Sequence, residues 1–405
     1  FVPALSRFEE PLDLNLVFSG HGKHLDCPTL RLTNHHGLMI AGEAALSNWD
    51  AGMDMYIYGK LGNLTMTKEG INVLMTNLTG KVPPILQRLD YIRFNGEAAG
   101  YLHDLTLTGL FHTGAGMVKT DVMMSIDEQS MSRTYSGSVA SADLDLGKLL
   151  NQEKKFGKVD FNVELKGFNY KNRYPESYIK GIISSFEYSQ YQYENIMLDG
   201  VYKDGGFNGR LSMDDANGSV QIDGNFNVAK TIPDFNLKAS VKNLRPHDLH
   251  LSDKYENASI SLGLTADFTG KSIDDMNGRI SLDSLQLNAP DEGGCFLDNL
   301  TITAGQVSGE KELRINSSFM TAVIRGDYSY HTIPASVVKT VQRYIPSLLT
   351  IKDNMPEPHN NFQFDICLEN AEVLSKLFQI PLELYLPASL KGYFNDGEEK
   401  LHVEG

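Results

Sequence analysis

Apolar residues recur at every second position along most of this chain. Leu12, Leu14, Leu16 and Phe18 alternate with Asp13, Asn15 and Val17. The same period runs through Met53-Met55-Ile57, Ile71-Val73-Met75 and Phe161-Val163-Leu165. It returns in Val220-Ile222, Ile260-Leu262-Leu264-Ala266-Phe268, Phe362-Phe364-Ile366-Leu368 and Leu382-Leu384-Leu386. Successive strand side chains point to opposite faces, so the pattern gives each strand one dry face and one wet face. A doubly wound parallel sheet would need continuous apolar strands separated by helices. Neither is present in the pattern, and the chain reads as mostly β with many antiparallel hairpins.

Turn residues fall between these runs. Gly205-Gly206, Asp215-Ala216-Asn217-Gly218, Asp275-Met276-Asn277-Gly278 and Glu292-Gly293-Gly294 supply residues that tolerate positive φ. Helical spacing is rarer. Val337, Val338, Val341, Tyr344, Ile345, Leu348 and Leu349 form one amphipathic stripe behind Pro334, with a kink expected at Pro346. Within that helix, over residues 336–349, Val338, Val341, Ile345 and Leu348 are the expected capping positions. Shorter helices are expected at 84–89, 146–150 and 371–378.

An internal repeat organises the pattern. Gly218-Ser219-Val220-Gln221-Ile222-Asp223-Gly224 has counterparts in Thr321-Ala322-Val323-Ile324-Arg325-Gly326 and Gly37-Leu38-Met39-Ile40-Ala41-Gly42. Each cycle re-enters through a strand and a short helical turn, at 138–150, 239–249 and 365–377. Such units bury their apolar faces against their neighbours, as in a solenoid or long folded ribbon. The expected divisions are 1–130, 131–236, 237–350 and a truncated unit at 351–405.

Composition narrows the classes. Of the 405 residues, 51 are acidic and 36 basic, a formal charge of -15 that repels phosphate backbones and argues against nucleic acid as a partner. The three cysteines, Cys27, Cys295 and Cys367, make no dense disulfide framework. No apolar run approaches the ~18 residues of a membrane span. Phe1-Val2-Pro3 and the unfinished strand at Lys400-Leu401-His402-Val403 suit the interior of a longer protein whose anchor lies elsewhere.

Catalytic chemistry finds little purchase. His21, His24 and Cys27 have ligand chemistry, but their spacing in strands does not make them converge, and no metal or other cofactor is expected. Ser336-Val337-Val338-Lys339 spells SxxK without its partner motifs. Asp214-Asp215 and Asp274-Asp275 precede Asn-Gly pairs, where solvated turns carry acids. Arg325-Gly326-Asp327 spells an adhesion tripeptide inside the repeat. Phe186, Tyr188, Tyr191 and Tyr193, with Tyr170, Tyr174 and Tyr178 before them, change parity and should place rings on both faces of a ribbon. Packing at a repeat junction and a carbohydrate cleft are the two readings of that stretch. The expectation is of a protein that is not an enzyme.

The stretch Tyr191-Gln192-Tyr193-Glu194-Asn195-Ile196-Met197-Leu198-Asp199-Gly200, with Gly206-Phe207-Asn208-Gly209 after it, resembles the TamB family. Phe296-Leu297-Asp298-Asn299-Leu300-Thr301-Ile302 resembles it too. These are translocation and assembly module proteins of the AsmA-like superfamily in Gram-negative bacteria, and the match is to the form found in Bacteroidota. The resemblance implies an all-β, elongated, repetitive antiparallel sheet folded into a taco-like hydrophobic groove. It implies a periplasmic part of an inner-membrane-anchored protein that moves phospholipid toward the outer membrane, working with a barrel of the TamA/BamA type. Acyl chains are then the expected ligand, with Ile222, Phe226, Leu262, Leu264, Leu282 and Ile324 as candidate groove residues because each lies in an alternating strand beside repeat glycines. The alternation itself fits a filled β-sandwich core equally well. A passive or chaperone-like scaffold for outer-membrane protein assembly is the alternative function, and an extracellular glycan-binding or hydrolytic β-solenoid a more distant one.

Overall fold

A computed structural model describes residues 11–127, 129–130, 132–169, 176–253, 256–290, 293–333, 336, 360–378, 387–398 and 400–405. The chain forms two compact units, Phe1–Asp204 with Gly209–Asp215, and Gly205–Asn208 with Ala216–Gly405. Both are antiparallel β meanders, and the all-β expectation holds.

The first unit opens with β1 (Asp13–His21), β2 (His24–Thr33), β3 (Leu38–Ser47) and β4 (Tyr56–Thr67). It continues through β5 (Tyr91–Tyr101), β6 (Asp104–Thr113), β7 (Gly116–Asp127) and β8 (Ser132–Ala142). A short β9 (Leu144–Asp145), β10 (Phe156–Asn169), β11 (Glu176–Tyr188) and β12 (Tyr191–Lys203) follow, and the boundary between units falls within β13 (Gly206–Asp215). From β1 to β8 each strand pairs with the next. Both β8 and β9 then pair with β10, which leads to β11 and β12.

The second unit holds β14 (Gly218–Asn227), β15 (Asp234–Leu244), β16 (Ser259–Thr269), β17 (Asn277–Asn288) and β18 (Cys295–Val307). It ends with β19 (Glu310–Ser317), β20 (Met320–Asp327), β21 (Asn361–Leu368), β22 (Ala388–Asn395) and β23 (Lys400–Glu404). These ten strands pair strictly in sequence order. Among the described residues β1 pairs only with β2 and β23 only with β22, so neither meander closes into a barrel.

Short helices accompany the strands, among them α1 (Lys68–Thr79), α2 (Pro84–Gln87), α3 (Leu146–Leu150) and α4 (Glu372–Phe378). The first corrects the strand expected at Ile71-Val73-Met75. Thr67 caps it by accepting from the Gly70 N–H at 3.2 Å, and Gly80 ends it at φ 75°. Ile71 and Met75 are four residues apart, so a helix turns both onto one face, where Ile71 is buried with Leu89 and Ile92. Two further expectations shift. Met53 lies in a 3₁₀ turn and only Ile57 is in a strand, while Asn277 and Gly278 start β17 instead of forming the turn before it. The strand expected at Leu382-Leu384-Leu386 and the helix of Val338, Val341, Ile345 and Leu348 lie outside the described residues, as do Tyr170 and Tyr174.

The repeat has a backbone cause. Gly224 and Gly326 adopt φ 146° and 137°. A Cβ on either would come within 2.3 Å of the Asn236 carbonyl oxygen and 2.2 Å of that of Asn361, so only glycine fits. The closing glycine of the third copy, Gly42, would meet the Lys60 oxygen at 2.1 Å. Asp143 and Asn243 are a second recurrent device: both take left-handed φ, 52° and 48°, just before a helical turn. At Asn243 the register shifts between Val241 and Leu244, a bulge that bends the strand.

Candidate functional site

Residues directly opposite in an antiparallel ladder point to the same face. In the second unit this rule joins apolar side chains into rows that cross the strands. One row runs Ile222, Ala239, Leu264, Leu282 and Leu300. The next runs Leu237, Ala266, Ile280, Ile302, Ile315 and Ala322. A third begins Phe226, Phe235 and Phe268 and continues through Leu313 to Ile324. The opposite face carries Lys238, Thr265, Asp267, Arg279, Thr303 and Arg325. All six groove candidates, Ile222, Phe226, Leu262, Leu264, Leu282 and Ile324, therefore lie on one face of this unit.

Among the described residues, two clusters cover the margins of that face and neither extends between them. At one margin residues 328–333 lie over it: Tyr328 is buried with Ala304, Leu313, Phe362 and Phe394, and Ile324, Tyr330, Ile333 and Phe364 pack around them. At the other, Phe319 and Val373 of α4 are buried with Leu285 and Leu297, and Leu262 and Leu300 pack against this cluster. Ile222, Phe226, Leu264 and Leu282 belong to neither cluster and keep part of their surface exposed, 38% in the case of Phe226. The six candidates thus divide into a covered pair, Ile324 and Leu262, and an uncovered four.

The segment 328–333 is held by polar groups that the sequence pattern did not reveal. The Asp274 carboxylate accepts from the Tyr330 N–H at 2.6 Å and the Ser329 hydroxyl at 2.9 Å, with Lys311 Nζ at 3.7 Å. Burial pushes the Asp274 carboxyl up, but these donors outweigh it and hold it below the usual aspartate value. Lys311 sits over the rings of Tyr328 and Tyr330, at 4.5 and 4.6 Å from their centroids. Asn360, fully buried, accepts from the Ser329 N–H at 3.0 Å and donates to Ser336 Oγ at 2.7 Å, while its own N–H donates to Asp396 at 2.8 Å. An Asn pair at the start of a strand gives no sequence signal of such a junction.

The first unit repeats the arrangement. Ala98, Leu107, Val122, Gly137, Leu165 and Ile179 form one row across β5 to β11, and α1 with its neighbours covers the margin around Ile92 and Phe111. The aromatic stretch corrects the parity expectation. Ser189 and Gln190 form a two-residue turn with φ 50° and 65°, so Tyr188 faces Tyr191 and Phe186 faces Tyr193. All four rings therefore share one face, with Tyr191 and Tyr193 edge to face at 4.8 Å and Phe156 5.5 Å from Tyr188.

Other chemical candidates have partners of their own, and Lys339 of the SxxK motif lies outside the described residues. His24 contacts Ser47 at 2.7 Å and Asp26 at 2.9 Å on an exposed strand pair, and no group of three metal-ligating side chains occurs among the described residues. Arg325 is bonded to Glu312, and Asp275 accepts from the Lys271 and Ser272 N–H groups. No helix among the described residues is long and apolar enough to cross a membrane.

Fold and face together define an all-β protein whose antiparallel sheets carry continuous apolar rows on one side. Comparison with protein-family models, curated proteins and solved structures returns no match to this chain.

Proposed function

We propose that this chain is a stretch of a bridge-like phospholipid conduit of the TamB type within the AsmA-like superfamily, serving outer-membrane biogenesis in the periplasm. The observation that carries this reading is the run of directly paired apolar side chains Ile222, Ala239, Leu264 and Leu282, which belongs to neither covering cluster. Each methylene of an acyl chain laid there leaves water at a gain of roughly 0.8 kcal/mol. Such contacts are non-directional, so a tail slides from row to row while its headgroup stays in water. The full-length protein would carry an inner-membrane anchor and meet an outer-membrane barrel of the TamA/BamA type, neither of which this segment needs for the step described. It requires no catalytic residue and no cofactor.

A scaffold for outer-membrane protein assembly would use the same strands without tails entering the face. Titration of the purified chain with a phospholipid bearing a fluorescent acyl chain separates the two. Saturable binding that falls at least tenfold in a Leu264→Asp, Leu282→Asp variant of unchanged fold supports the conduit. Equal binding by both proteins, or none by either, supports the scaffold.

A further inference from the structure

The third apolar row ends under a covering segment of the chain. Past Leu313 and Ile324 it runs beneath residues 328–333, whose Tyr328 ring meets Phe362 at 5.8 Å in an edge-to-face contact. The chain itself therefore occupies this margin. Three independent anchors hold it there: Asp274 from the turn before β17, Lys311 from the start of β19, and Asn360 from the residue before β21. Lys311 lies directly opposite Gly326 in the ladder.

We infer that residues 328–333 form a fixed wall that confines acyl chains to the uncovered rows of the second unit. The inference rests on the lipid-conduit reading and adds to it the boundary of the track. Tails occupy the surface around Ile222, Leu264 and Leu282, and the wall excludes them from Ile324 and Phe364. Near Ile280 and Leu282 the free lane is about two side-chain rows wide, ~7 Å from one to the next along a strand, and on β18 both rows come under cover, Ile302 beside the cluster of 328–333 and Leu300 beside that of α4. Toward β14 and β15 neither covering cluster reaches the face and the lane widens. Tyr328, Tyr330 and Lys311 are positioning residues in this account, because they set where lipid goes without carrying it.

The test places a photo-crosslinking amino acid at Leu264, Leu282 or Ile324 of the protein in its native cell envelope. Lipid capture is then compared between the parent and a Tyr328→Ala, Tyr330→Ala variant. The wall predicts capture at Leu264 and Leu282 but not at Ile324 in the parent, and new capture at Ile324 at least fivefold above background in the variant. Because the double substitution removes buried rings, Asp274→Asn, which loosens the same segment and leaves the rings in place, is run beside it and should produce the same gain. Capture at Ile324 equal to that at Leu264 in the parent overturns the wall while leaving the conduit standing. So does a folded variant pair with no gain at Ile324. Absence of lipid at all three positions fails the conduit itself.

Discussion

Leu264 and Leu282 stand directly opposite each other on β16 and β17, and neither covering cluster of their unit reaches them. Their exposure separates them from Leu297, on the same sheet but 1% exposed. Leu297→Ala should cost about 2–5 kcal/mol, the usual cost of a cavity in a filled core. Leu264→Asp should cost about 1 kcal/mol or less, because its carboxylate can reach water. Denaturant melts of the two variants beside the parent measure both. A loss at Leu264 as large as that at Leu297 would mark the face as sealed.

The repeat glycines make a backbone prediction. Gly224→Ala and Gly326→Ala each force a side chain into a φ region L residues rarely adopt and against a neighbouring carbonyl, at a cost of about 1–3 kcal/mol. Gly59 is also in a strand, but no atom lies within 4 Å of a Cβ built on it. Gly59→Ala should be neutral or slightly stabilising, since it restricts the unfolded chain. Thermal melts of the three variants should show the first two lowered and the third unchanged.

Acid should loosen the turn before β17. The Lys271 N–H, then the Ser272 hydroxyl and N–H, hold the Asp275 carboxyl down at about 2, below its ordinary value of 3.8. A carboxyl depressed by folding stabilises above its unfolded pKa, and that contribution is lost as pH falls through the folded value. The loss therefore falls between about pH 4 and pH 2 and should be absent in Asp275→Asn. Carboxyl NMR titration checks the premise, and an Asp275 midpoint near 3.8 would contradict it.

Much of this fold was legible because alternation is a local property. The Ile260 to Phe268 run specifies one face of β16 whatever its neighbours, and the closing glycines of the repeat mark a conformation few other residues can adopt. What was hidden depends on partners distant in sequence. Ile71-Val73-Met75 fits both periods, and the cap at Thr67 decides for the helix. The parity of Tyr188 and Tyr191 is set by the length of the turn between them. That Ile324 is covered and Leu264 is not follows from where residues 328–333 come to rest, and Asp274, Lys311 and Asn360 carry no pattern that announces it.

The central claim is that the apolar face, and not the polar one, takes lipid tails. Site-specific photo-crosslinking in cells, with probes at Leu264 and Leu282 on one face and at Thr265 and Ser281 on the other, tests it most directly. The account predicts phospholipid captured at the first pair and not at the second. Equal capture on both faces, or none at Leu264 and Leu282 in a folded, functional protein, would contradict it.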